Sequence, residues 1–478
     1  MSTGQIAKHW IGGEWVGSDT VSESINPATG EVLGQWADGG EAEARAAVAA
    51  AREAFETTPW SRDRNLRHKA LLEMADRFDA RAEDLGVLIT QENGKKEGMF
   101  EGSVPSLTLR HTAAQALTET GISAEVAPGK WFSTYAEPAG VVGIIVPWNS
   151  PVALLIRSLA PALSAGNTVA VKMPGQTALV ANLVSEIIAG GESLPSGVVN
   201  IFTESGNTGA PFLVASPEVD VISYTGSTGV GRLVAKAGAD TLKRMNLELG
   251  GKTPMIVFED ASLDATVPVL AAAVTTFSGQ FCMTGSRILV QRSVADEVRT
   301  RLAAILGAVR VGNGLDPEVD MGPLIDKANV ARVDGMVEAA LAHAKAIVRG
   351  GPAVEGELAA GAFYRPSLLE VTDLTSDIVQ KEVFGPVATF EVFDTEQDAI
   401  SMANATEMGL AAGVFTNDID ISARVSRELR AGTVWTNTWA EINDGFAEGG
   451  YKQSGIGRQW GEEGFDELME FTTLTRPA

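Results

Sequence analysis

A lone thiol, Cys282, sits in Phe277-Ser-Gly-Gln-Phe-Cys-Met-Thr-Gly-Ser-Arg287, a glycine-bracketed segment rich in small and polar residues. A cysteine that occurs once can form no internal disulfide and builds none of the Cys-rich sites of structural zinc. Two readings are left: a small apolar filler, as most free cysteines are, or a nucleophile. Glu248, in Leu247-Glu-Leu-Gly-Gly-Lys252, stands 34 residues earlier. A carboxylate facing a cleft activates water as a general base when partial burial holds its pKa near working pH. Its alternative is a solvated side chain at a strand end. His9, His68, His111 and His343 all lie far from Cys282 in sequence, so a Cys–His pairing has no local support.

A third candidate is a turn. Val221-Ile-Ser-Tyr224 reads as a strand, runs into Thr225-Gly-Ser-Thr-Gly-Val-Gly231 and continues into helix-compatible Arg232-Leu-Val-Ala-Lys-Ala. Glycines there let backbone N–H groups and a helix N-terminus approach a phosphate. The spacing differs from the G-x-G-x-x-G dinucleotide fingerprint, so an ordinary tight turn explains it as well.

The elements around these residues set the architecture. The first third is helix-rich, with Glu41 to Phe55 following the turn signal Asp38-Gly-Gly40, and Arg67 to Leu88 continuing in the same style. From Val141 the chain changes to short β-branched runs, Val141 to Val146, Val169 to Val171, Val198 to Phe202 and Val221 to Tyr224, separated by helix-length segments. Such alternation predicts a parallel, doubly wound α/β sheet. A second alternating stretch from Gly251 past residue 430 predicts a second α/β domain, with a cleft between the two. The 478 residues carry 37 basic and 61 acidic side chains, a formal charge of -24. That balance disfavours nucleic acid and anionic membrane as partners and points to small molecules. No apolar run is long enough for a membrane span, no secretory signal opens the chain, and a single cysteine suits a reducing cytoplasm.

Six motifs in register resemble the aldehyde dehydrogenase superfamily: Pro147-Trp-Asn149, Gly226-Ser-Thr-Gly229 with Gly231, Glu248-Leu-Gly-Gly-Lys252, Gly279-Gln-Phe-Cys282, Glu382-Val-Phe-Gly-Pro386 and Lys452-Gln-Ser-Gly-Ile-Gly457. The resemblance begins at Asn26-Pro-Ala-Thr-Gly30 and covers essentially the whole chain. It implies that Cys282 attacks an aldehyde as thiolate, that Asn149 and the Cys282 N–H hold the oxyanion, and that Glu248 activates the water that hydrolyses the thioester. It also implies an NAD or NADP site: Lys172 at the adenosine ribose, Gly226 and Ser227 beneath the pyrophosphate, Trp148 alongside, Glu382 at the nicotinamide ribose and Phe384 near the ring. Gly250 and Lys252 are expected to be structural. The implied fold is a Rossmann-like cofactor-binding domain (residues 1–119 and 139–249), a second α/β catalytic domain (250–445), and a small β oligomerisation arm with the C-terminal tail (120–138 and 446–478). That arm implies homodimers or homotetramers. Relatives that pass the acyl group to CoA usually lack the glutamate, which is present here as Glu248. A thiol esterase without a redox role is the alternative from outside this chemistry.

The chain departs from the family pattern in three respects. Gly175 replaces a glutamate that binds the adenosine ribose in many NAD-using members, which leaves NADP open. Ser158 and Gln459 replace a Lys and Glu proposed to relay protons, so water is the expected exit. Ser150 and Arg157 stand where betaine-aldehyde enzymes carry aromatic residues for a cationic substrate. Arg157 matches a carboxylate-binding arginine of succinic semialdehyde dehydrogenases, although Thr276 replaces its companion. Arg157 therefore either takes an anionic semialdehyde or forms an ion pair on its own helix. Phe281 and Met283, with Trp435 and Trp439, equally suit a tunnel for a neutral aromatic or aliphatic aldehyde.

Overall fold

The chain builds two mostly parallel sheets in succession in the computed structural model, which describes residues 6–476. The first has strands Val199–Glu204, Thr168–Pro174, Val141–Ile145, Val221–Thr225 and Arg244–Glu248 side by side and parallel. The chain moves outward on one side of Val141–Ile145 and then returns to its other side. The reversal leaves a crevice at the carboxyl ends of Val141–Ile145 and Val221–Thr225, the place where open α/β sheets bind ligands. Pro147-Trp-Asn149 and Gly226-Ser227 follow those two strands directly.

The helix Pro151–Ala165 leaves the crevice. Proline at its first position needs no N–H there, and Gly166 ends it at φ 100°. Its Val152, Leu155, Ile156, Leu159 and Leu163 enter the core under the sheet, and Arg157 and Ser158 are buried with them. Two polar side chains on so apolar a helix require partners.

The second sheet orders Lys345–Val348, Ser367–Glu370, Val387–Phe393, Arg287–Gln291, Pro254–Val257, Ala411–Phe415 and Thr433–Thr436, with only the first antiparallel to its neighbour. A third, antiparallel sheet joins the hairpin Ile122–Ala127 and Lys130–Pro138 to the terminal strand Met469–Arg476. The tail thus divides, because Gly455–Ile456 pairs with Arg244–Glu248 on the first sheet before the chain reaches the hairpin. The mixed α/β architecture expected from the alternation is present. The helical stretch from Arg67 is two helices, Arg64–Ala80 and Ala82–Asn93, broken at Arg81. Among the described residues, no helix is long and apolar enough to cross a membrane.

Candidate active site

Cys282 sits on a loop whose path is fixed by an unusual backbone. After the helix Leu263–Thr275, Phe277 and Ser278 take φ of 53° and 55°, and Gly279 follows at 68°. Position 279 tolerates only glycine, since a Cβ there would lie 2.2 Å from the Gly385 carbonyl carbon. Side chains hold the loop: Ser278 Oγ donates to Gly322 O at 2.8 Å, Ile325 N–H donates to Gln280 Oε1 at 2.9 Å, and Thr284 Oγ1 donates to Gly279 O at 3.1 Å. Asn149 Nδ2 donates to Gln280 O at 2.9 Å, which brings the first-sheet amide to the thiol loop. The Asn149 carbonyl in turn accepts from Lys95 Nζ at 2.9 Å and Asn93 Nδ2 at 3.3 Å. Lys95 forms a fully buried ion pair with Glu101.

Glu248 ends the strand Arg244–Glu248, in register with Thr225. It is buried, and its Oε1 has no hydrogen-bond partner. Burial pushes its carboxyl up to about 8; Glu448 adds to this, while Arg157 and Arg458 oppose it. Burial likewise holds the Cys282 thiol well above its ordinary range, reinforced by Glu448, Glu382 and Glu248 and opposed by Arg157. The half-buried thiol therefore senses the charge of Glu248.

Arg157 is not paired on its own helix, as one expectation had it. Its Nη1 meets Glu448 Oε1 at 3.2 Å, 291 residues away, and its Nη2 donates to Thr225 Oγ1 at 2.7 Å. Its Nε is buried without a partner. Burial disfavours its charge, but Glu448, Glu248 and Cys282 more than offset this and hold the proton more firmly than in a free arginine. Behind it, Ser158 and Gln459 belong to a neutral network: Ser223 Oγ donates to Ser158 Oγ at 2.9 Å, and Gln459 Nε2 donates to Ser223 Oγ and Asn246 Oδ1, each at 3.1 Å.

An apolar wall adjoins the thiol. Phe281 meets Trp439 edge to face at 5.8 Å and Phe277 at 5.2 Å, and Met283, Leu410 and Trp435 pack with them. Trp439 Nε1 donates to Met283 O at 2.9 Å, so the indole is oriented by the segment that carries Cys282.

Of the residues expected at a cofactor, Trp148, Gly226 and Ser227 follow the strands that border the crevice, and Lys172 lies on the strand beside Val141–Ile145. Ser227 caps the helix Thr228–Gly238 by accepting from Val230 N–H, and the Gly226 N–H donates to Glu248 O at 3.0 Å. Lys172, near the end of its strand, forms no ion pair among the described residues, and a Cβ at Gly229 would face open space. An unpaired cation and an unobstructed helix start suit an anionic dinucleotide. Trp148 packs edge to face on Phe384 at 5.6 Å. Glu382 lies against Gly250 and Gly251: the Gly251 N–H donates to Oε1 at 3.2 Å, and a Cβ on Gly250 would meet Oε2 at 2.4 Å. Burial pushes the Glu382 carboxyl up to about 7, against the Gly251 N–H, Lys252 and Arg332. Gly175 packs under Trp36, whose ring would be 2.9 Å from a Cβ there.

Sequence reasoning passed over Glu448, Thr225, Lys95 and Glu101. Glu448 precedes a glycine pair, as Glu248 nearly does, but no spacing marks it. Lys95 and Glu101 stand in no motif.

The chain is similar to known proteins in sequence and fold. The chain is 36% identical to aldehyde dehydrogenase 1 of Tanacetum cinerariifolium, over 99% of this chain and 95% of that one. It is also 36% identical to the phenylacetaldehyde dehydrogenase of Pseudomonas fluorescens, over 98% and 94%. A crystal structure of Staphylococcus aureus betaine aldehyde dehydrogenase in complex with NAD+ superposes with a TM-score of 0.95 at 34% identity, covering 98% of this chain and 94% of that one. The profile of the Aldehyde dehydrogenase family matches residues 15–474. Matched along nearly its whole length, the chain belongs to the aldehyde dehydrogenase family.

Proposed function

We propose that this protein oxidises a neutral aldehyde with an apolar, aromatic or aliphatic, body to its carboxylic acid, using NAD or NADP. The observation that carries the chemistry is the buried Glu248 acting on the half-buried Cys282, with Glu248 Oε1 unpartnered and its carboxyl pushed up to about 8. Such a carboxylate is a stronger base than an exposed one, and its proton-accepting form grows in as pH rises towards about 8. Cys282 loses its proton to Glu248, directly or through water, and attacks the aldehyde carbon to give a thiohemiacetal. Asn149, whose amide keeps a second N–H beyond the one bound to Gln280, and the Cys282 N–H stabilise the oxyanion. When bound, the nicotinamide supplies the two-electron acceptor that turns the thiohemiacetal into a thioester. Glu248, deprotonated again, draws a proton from the water that attacks the thioester carbonyl, and the acid leaves with Cys282 restored. Lys172, Gly226, Ser227, Trp148, Glu382 and Phe384 are the residues that hold the dinucleotide.

The substrate reading rests on the site wall. Arg157 is charge-paired with Glu448, so an anionic semialdehyde would meet the carboxylate along with the guanidinium. Phe281, Met283, Trp435 and Trp439 offer an apolar surface beside the thiol. Similarity to a phenylacetaldehyde dehydrogenase supports the same reading. Initial rates with both cofactors, against benzaldehydes, phenylacetaldehyde, medium aliphatic aldehydes, betaine aldehyde and succinic semialdehyde, test it. Neutral aldehydes should give the highest kcat/KM. A preference for succinic semialdehyde that Arg157→Ala removes would overturn it, and acid formed without reduced nicotinamide would overturn the redox step.

For assembly we propose a homodimer or homotetramer. The strand Ile122–Ala127 is the edge of its sheet, with Ile122 and Val126 exposed, and such an edge accepts a strand from a second copy. Light scattering that returns the monomer mass would refute this.

A further inference from the structure

We propose that the Arg157–Glu448 ion pair is a positioning device for the two reacting side chains: Arg157 supports the ionised forms of Glu248 and Cys282, and Glu448 limits that support. The proposal rests on reading Glu248 as base and Cys282 as nucleophile.

The geometry directs the pair at the reaction. Arg157 is the one charged residue on a helix whose other buried side chains are apolar apart from Ser158 and Ser164, and only 2% of it is exposed. Thr225, which holds Nη2, is the register partner of Glu248 on the adjoining strand, so the guanidinium is fixed beside the base. Glu448 is held as firmly, since its N–H donates to Gln459 O at 2.8 Å and its carbonyl accepts from Gln459 N–H at 2.7 Å. The site contains one buried unpartnered donor on this pair, Arg157 Nε, and one buried unpartnered acceptor, Glu248 Oε1.

Stability alone does not account for the arrangement. Taking two charges out of water costs about as much as their attraction returns, and apolar replacements are often neutral or better. What the pair adds is a field. The charged groups acting on Glu248 are Arg157, Glu448 and the part-exposed Arg458, and those acting on Cys282 are Glu448, Arg157, Glu382 and Glu248 itself. Ser158, Ser223, Asn246 and Gln459 complete the surroundings without charge. Arg157 is the one buried cation acting on both reacting groups, and Glu448 sets how much of its charge they feel.

Opposite charges in one pair give a test that a purely structural role fails. Two profiles are measured for each variant: kcat/KM against pH, and the rate of Cys282 alkylation by iodoacetamide against pH in the free enzyme. Arg157→Met leaves Glu448 unbalanced and should move both acid limbs to higher pH by about one pH unit. Glu448→Gln leaves Arg157 unbalanced and should move them to lower pH by a similar amount. The double variant should return towards the parent, and Arg157→Lys should retain the parental limb. Displacements in the same direction, or none in either single variant, overturn the proposal. Should Arg157→Met fail to fold, Glu448→Gln and the double variant still decide it. If Glu248→Gln leaves hydrolysis and its pH profile intact, the base reading has failed, while the alkylation profiles still judge the ion pair.

Discussion

The side-chain amide of Asn149 spans from the end of one sheet to the Gln280 carbonyl at 2.9 Å, two residues ahead of the reactive thiol. One N–H therefore fixes the loop, and the other is the one that the proposed mechanism gives to the oxyanion. Asn149→Ala should lower kcat by about 10²- to 10³-fold, the usual cost of losing an oxyanion donor. Rapid-mixing measurements should show the loss in the first, acylating turnover. A normal burst followed by slow turnover would place Asn149 elsewhere in the cycle.

Glu248 sets the pH dependence. Its carboxyl is raised by burial to about 8, and the base form is the deprotonated one. Turnover should therefore increase as pH rises through about 8 and be lost below it. The same raised value means the fold retains a proton that the unfolded chain has released, so this group lowers stability as pH rises from the ordinary carboxylate range to about 8. Glu248→Gln should abolish the alkaline rise in turnover and slow acylation and hydrolysis together, with the thioester that does form persisting long enough to be seen by mass spectrometry.

Two adjacent glycines should give opposite kinetic signatures. A Cβ on Gly250 would meet only the mobile end of Glu382, at 2.4 Å from Oε2, whereas a Cβ on Gly251 would press on the Cys282 carbonyl at 2.3 Å. Gly250→Ala should raise KM for the cofactor about tenfold, or ~1.4 kcal/mol, with little change in Tm. Gly251→Ala must displace the thiol loop and should reduce kcat about 10²-fold. Steady-state kinetics with each substrate varied in turn separates the two.

Lys95 is the support for Asn149 that is most exposed to mutation. It pairs with Glu101, donates to the Asn149 carbonyl at 2.9 Å, and lies 4.0 Å over the Phe277 ring. Lys95→Met strands a buried carboxylate and should cost about 3–5 kcal/mol. Chemical denaturation measures the loss. Adding Glu101→Met should recover part of it, because the stranded charge is then gone.

Much of this was legible in the sequence where local chemistry and spacing carry the signal. The glycine-flanked Cys282, the Glu248 strand end and the β-branched runs at helix-length intervals all follow from neighbours along the chain, and the runs appear as parallel strands. Arg157 shows the limit. Its side chain is defined by Glu448, on a loop with no hydrophobic period, and nothing within a turn of either residue announces the pair. Lys95, between two helices, and Glu101, on the second of them, were hidden for the same reason: a charged side chain carries no sign of burial until tertiary packing covers it. Gly175 was noted as a missing carboxylate, but the Trp36 ring that occupies the space is a contact no local pattern encodes.

The three consecutive left-handed residues before the thiol, Phe277, Ser278 and Gly279, carry a consequence for durability. Two of them hold side chains in a conformation that costs of order 1–3 kcal/mol each, sustained only by bonds such as Ser278 Oγ to Gly322 O. The segment that presents the nucleophile is thus among the cheapest in the molecule to release, and the sheets beneath it do not depend on it. On slow heating, catalytic activity should vanish several degrees before circular dichroism registers melting, and cooling from that interval should restore it. The working lifetime of the enzyme is set by a few backbone torsions, well inside the limits of its fold.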